Sequence, residues 1–195
     1  MFGILKDKNV YNKIILSIVP LTAFCSTALS SLIAGIIIVF AVTLSWMAVS
    51  ALKQFTTSKT APFVRIVISV GIVGILTMLC SLIFNDAVSS IGIGLTLISV
   101  TTVLLVSTDD VLAEKPFSVL KHGAIISTAA AGFLFVIGFL KEFLGTGSIF
   151  GFDIYTSFLS PIEFFKTPSG ALLLCAALTV LYGVLVKFFE KRGAK

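Results

Sequence analysis

Charge is what this sequence has least of. Asp, Glu, Lys and Arg make up 12% of its 195 residues, while 57% are hydrophobic and the mean hydropathy is +1.14. Soluble chains carry about a quarter charged residues, so a soluble domain is excluded. Histidine and tryptophan occur once each. The three cysteines, Cys25, Cys80 and Cys175, lie in separate apolar runs and form no CxxC pair, which favours buried, inert thiols over a metal centre. Walker loops, dinucleotide fingerprints, Ser-His-Asp sets and zincin motifs are all missing. Nothing in the sequence amounts to a catalytic apparatus. The pI near 9.2 does not indicate nucleic acid, because the basic residues sit at the ends of apolar runs rather than in a stripe interleaved with aromatics.

What remains is a series of long apolar runs separated by clustered charges, the pattern of a multi-span membrane protein. Lipid offers no partner to backbone N–H and C=O groups, so the runs are expected to be helices, and short alternating segments of a β-barrel are not seen. Six spans fit, at about 13–30, 31–52, 63–84, 90–107, 119–141 and 169–189. The lysines ahead of the first run (Lys6, Lys8, Lys13) and the loose cleavage-like Ala28-Leu29-Ser30 resemble a secretory signal. Apolar sequence nevertheless continues to Leu52, which favours an uncleaved span.

With the N-terminus cytoplasmic, 12 of the 14 Lys and Arg residues fall on the inner side and only Lys141 and Lys166 fall outside. The positive-inside rule therefore predicts six spans with both termini in the cytoplasm.

The chain also echoes itself. Leu52-Lys53-Gln54-Phe55 closes one apolar run and Leu140-Lys141-Glu142-Phe143 closes another. Each is followed by a polar stretch and a Lys-Thr-Pro-like lead-in, Lys59-Thr60-Ala61-Pro62 and Lys166-Thr167-Pro168. The expected fold is all-α integral membrane, a single domain of two inverted three-helix repeats, 1–84 and 85–195. Three spans per repeat force the second half to enter with opposite orientation, and in such proteins the short, broken helices mark the centre. Pro20 favours a break in the first span. Gly92 and Gly94 open the fourth, where Thr101 and Thr102 can satisfy freed backbone groups. Pro20, Thr101 and Thr102 are thus the expected residues of that centre.

Several single residues invite a functional reading that a simpler one outweighs. His122 beside Lys121 is an ordinary polar span end. Asp109, Asp110 and Glu114 are expected in a solvated inner loop rather than around a cation. Arg65, just inside the third span, can snorkel to the headgroups, and Trp46 fits the inner aromatic belt. Gly123, Ser127 and Ala131 form a small-residue ladder suited to close helix packing. The connection from Glu142 to Pro168, rich in Phe150, Phe152, Tyr155, Phe158, Phe164 and Phe165, reads as a re-entrant or interfacial segment on the outer side, or as a docking surface.

Lys141-Glu142-Phe143-Leu144-Gly145-Thr146-Gly147-Ser148-Ile149-Phe150-Gly151 resembles the signature of the RnfE/NqrD family of membrane subunits, with Lys141, Glu142, Gly145, Gly147 and Gly151 at its motif positions. Val64-Arg65-Ile66, Leu97-Ile98, Ala113-Glu114-Lys115-Pro116 and Pro168-Ser169-Gly170-Ala171 extend the resemblance over about residues 10–185. It implies a subunit of a redox-driven, Na+- or H+-translocating electron transport complex in a bacterial or archaeal cytoplasmic membrane. Such a subunit is a non-catalytic part of a ferredoxin:NAD or NADH:quinone type oxidoreductase. It also implies a homologous six-span partner of opposite orientation, resembling RnfA/NqrE, flavins in other subunits, and an iron–sulfur cluster shared between the two six-span chains. The family's cluster cysteines match Val19, in Ser17-Ile18-Val19-Pro20, and Thr102, in Ser99-Val100-Thr101-Thr102-Val103. Neither supplies a thiolate. The expectation is a chain that keeps the scaffold and binds no cofactor alone. A small-solute or vitamin-binding module and a purely structural assembly subunit are the alternatives.

Overall fold

The computed structural model describes residues 8–52, 57, 59–84, 88–89, 91–106, 116–150, 152–153 and 162–193. These form six main helices: α1 (Lys8–Thr22), α2 (Ala28–Ala51), α3 (Ala61–Ile83), α4 (Gly94–Leu105), α5 (Pro116–Thr146) and α6 (Pro168–Gly193). Between α5 and α6 lie a two-residue antiparallel pair, β1 (Ser148–Ile149) with β2 (Phe152–Asp153), and a 3-10 turn over Glu163–Lys166. The sequence pattern starts this connection at Glu142. α5 instead runs on to Thr146, and the chain turns only at Gly147, whose φ of +71° is easy for glycine.

Among the described residues three helices are long and apolar enough to cross a bilayer: Ala28–Ala51, Ala61–Ile83 and Leu120–Thr146. Gly94–Leu105 and Pro168–Leu181 are shorter apolar helices. At 1.5 Å per residue α1 is only about 22 Å long and α4 about 18 Å, short of the ~30 Å hydrocarbon layer. The first span expected at 13–30 is therefore corrected: its helix stops at Thr22, residues 23–27 form a gap, and α2 starts at Ala28 rather than at residue 31. Pro20 does not itself interrupt α1, which continues through it for two residues. A proline costs the bond its N–H would have made, but next to a C-terminus the helix has few bonds left to lose.

The main packing axis is the pair α2 and α5. Gly35 comes so close to α5 that a Cβ there would lie 3.2 Å from Ala131 Cβ, and one on Gly123 would lie 3.2 Å from the Trp46 ring. Gly138 leaves room for no Cβ at all, because the Ser31 side chain occupies that place. The contacts run 31 to 138, 35 to 131 and 46 to 123, so the helices are antiparallel, and the expected small-residue ladder is the face that meets α2. Ser127 is fully buried in the same face. Trp46, expected in an interfacial belt, is instead 1% exposed inside the bundle. The flat face left by Gly123 admits its ring, and ring burial of that size outweighs an interfacial position.

α3 is the opposite case. Only Ala61, Ser69 and Val73 are buried along it, while Phe63, Val67, Met78 and Leu82 are more than two-thirds exposed. An apolar face of that extent fits lipid or another protein, not water.

Candidate functional site

The two short helices pack against each other at the centre. The Thr101 hydroxyl donates to the Ser17 carbonyl at 2.9 Å as well as to Leu97 in its own helix. A Cβ on Gly94 would lie 3.0 Å from Phe24 Cβ and 3.7 Å from Leu21 Cδ1. The start of α4 thus meets the end of α1, its middle meets the middle of α1, and the pair is antiparallel. Glycine at 94 is what allows the approach, and Gly92 supplies the turn before it with φ +51°. Thr101 and Thr102 are both fully buried, whereas Pro20 is half-buried.

Each short helix ends on a cation supplied from the other half of the chain. Lys141, on α5, is 1% exposed, and its Nζ donates to the carbonyls of Ala23 at 3.1 Å and Cys25 at 3.2 Å, just beyond the end of α1. Arg65, on α3, donates from Nη1 to the carbonyl of Val106 at 2.6 Å, the C-cap of α4. Unpaired carbonyls at a helix end carry partial negative charge, so both contacts place a cation where the helix field favours it. Arg65, expected to reach toward the headgroups, is half-buried, and its guanidinium takes this carbonyl as acceptor. Arg65 Nε, with Ser45 Oγ, Ser69 Oγ and Trp46 Nε1, is a buried polar atom with no hydrogen-bond partner.

Glu142, next to Lys141 and 4% exposed, does the complementary thing. Its Oε2 accepts from the backbone N–H of Ala28 at 2.5 Å, at the first turn of α2, where the helix end is positive. Thr27 and Ser30 form a reciprocal capping box beside it, with Ser30 N donating to Thr27 Oγ1 and Thr27 N to Ser30 Oγ, both at 3.1 Å. The Lys-Glu dipeptide therefore bridges one gap: lysine on the carboxyl end of α1, glutamate on the amino end of α2. Sequence reasoning places the pair at the outer end of a span and misses this role. The available signal is two charges side by side at the end of a long apolar stretch of helix.

The glycines of the same motif hold the next turn. Gly145 approaches the 3-10 turn so closely that a Cβ would lie 3.1 Å from Lys166 Cγ and 3.2 Å from Lys166 N. Ile162 N donates to Leu144 O at 3.1 Å, fastening the turn to the end of α5. Gly151, like Asp109, Asp110 and Glu114, lies outside the described residues.

The two Lys-Thr-Pro-like lead-ins fold alike. Thr60 Oγ1 donates to Thr57 O and Thr167 Oγ1 to Phe164 O. The following helix then closes with Val64 N on Thr60 O and Ala171 N on Thr167 O.

The donors present do not fit an iron–sulfur cluster. Val19 has no ligating side-chain atom, and the Thr102 hydroxyl donates to Ile98 O at 2.8 Å. Among the described residues no group of three or more His, Cys, Asp or Glu could hold a metal ion, and Cys25, Cys80 and Cys175 are free.

Residues 1–180 match the Rnf-Nqr subunit family of membrane proteins. The chain is similar to the E subunit of the ion-translocating oxidoreductase complex of Salmonella arizonae and to that of Salmonella newport. Each is 32% identical over 167 residues, which cover 82% of this chain and 71% of the relative.

Proposed function

This chain belongs to the Rnf-Nqr subunit family of membrane proteins, and from that premise we propose that it is an E-type membrane subunit of an ion-translocating oxidoreductase complex. The observation that carries the reading is the retention of the family's Lys-Glu and glycine motif as a working piece of structure: Lys141 and Glu142 close the gap between α1 and α2, and Gly145 and Gly147 seat the turn that follows.

In this reading α1–α3 and α4–α6 are two inverted repeats that cross the membrane with both termini cytoplasmic. The antiparallel packing of α1 on α4, the exchange of capping cations between halves and the matching Thr60 and Thr167 turns support it. The exposed apolar face of α3 meets lipid or a homologous six-span subunit of opposite orientation, and other subunits carry the flavins. With valine at 19 and threonine at 102 this chain contributes no cluster ligand, so electrons reach their acceptor without an iron bound by it, and its part in moving Na+ or H+ is structural.

Affinity purification in mild detergent tests this. The expected result is co-isolation of a second six-span chain together with flavin-bearing partners. A purified assembly without flavin or iron absorbance would overturn it.

A further inference from the structure

The gap between α1 and α2 is built like a coordination site for one monovalent cation, and we propose that Lys141 fills it: the ammonium is a tethered stand-in for a bound sodium or potassium ion. The inference rests on the geometry of the gap alone and goes beyond the subunit assignment.

Three observations carry it. The acceptors are main-chain carbonyls, Ala23 O and Cys25 O, which lie beyond the helix and outside its hydrogen-bond ladder. Unwound carbonyls at the carboxyl end of a broken helix are the donor set that membrane carriers offer to a sodium ion. Next, Lys141 is buried with its head at that point and Glu142 at the adjoining helix start, so the gap holds one positive and one negative group and no solvent-exposed charge. An ammonium and a potassium ion are alike in charge and size, and both are satisfied by carbonyl oxygens. Finally, a cation also meets the carboxyl end of α4, where half-buried Arg65 donates to the single carbonyl of Val106. The two carbonyls beyond α1 are thus held by one of the protein's own cations and are not open to an exchangeable ion.

Thermal unfolding of the full chain in nanodiscs, in sodium, potassium or choline chloride at one ionic strength, decides the matter. The wild-type midpoint is expected to be the same in all three salts. Lys141→Met keeps the aliphatic stem and removes the charge. It is expected to melt lower in choline and to recover by several degrees, saturably, in sodium or potassium, because an ion bound only by the folded state raises the midpoint by mass action. Lys141→Arg should remain insensitive to the salt. Lys141→Ser, which leaves more room, provides the same comparison should Lys141→Met not fold. A wild type stabilised by sodium or potassium over choline would overturn the proposal. So would serine and methionine variants that recover equally in choline, or that yield no folded protein in any salt while Lys141→Arg does.

Discussion

Replacing Glu142 by alanine isolates the contact that starts α2. The carboxylate accepts from Ala28 N–H at 2.5 Å and is 4% exposed, so its loss leaves a buried amide with no replacement acceptor. A hydrogen bond to a charged group contributes about 1.5–3 kcal/mol, and an unpaired buried donor costs the upper end of that range. The helix-end field adds up to about 2 kcal/mol in a partly buried setting, although the two terms overlap and do not sum. A net loss of about 3 kcal/mol is expected, which for a chain of this length lowers the midpoint by about 6–12 °C. Glutamine keeps the shape and a neutral acceptor and loses only the charge, so Glu142→Gln should cost about 1 kcal/mol, or about 2–4 °C. Thermal unfolding of the three proteins in one detergent measures both values, and amide exchange at residues 28–31 should rise in the alanine variant first. Equal midpoints for Glu142→Ala and Glu142→Gln, or an alanine variant within a degree of wild type, would refute the assignment of Glu142 as a charged cap.

Two further outcomes follow from packing and from the side chains at positions 19 and 102. Gly138→Ala forces a methyl group into the Ser31 side chain and should cost about 1–3 kcal/mol by overpacking, with most of it regained in the Gly138→Ala, Ser31→Gly double variant. Additive midpoint losses in the double variant would contradict the close approach of α2 and α5. Val19→Cys combined with Thr102→Cys should bind no iron in the isolated chain, since two thiolates are half a cluster's ligands. Stoichiometric iron in that variant by elemental analysis would mean that the chain supplies the rest itself.

Much of the fold is legible in the sequence because membrane insertion makes the apolar run the unit of structure. Residues 31–52, 63–84 and 119–141 are recognisable as helices from length and hydropathy, and the small-residue ladder on α5 points to a close helix neighbour. The differences arise where hydropathy carries no signal. Residues 23–27 are nearly as apolar as their surroundings, so the gap after Thr22 reads as helix, and it becomes visible only through the capping of Ala28 and Ser30. Trp46 reads as interfacial because a lone tryptophan near a span end usually lies there, whereas its actual place depends on a glycine 77 positions away.

By itself, the amino-acid sequence determined that the chain is helical and membrane-bound, and which family it resembles. Those properties depend on composition, run length and residue identity, which are local. Only the tertiary structure decided what Lys141, Glu142 and Arg65 do. A charge in an apolar helix must find a partner, but which carbonyl or amide it finds lies 41 to 118 residues away along the chain, and no local pattern encodes that distance.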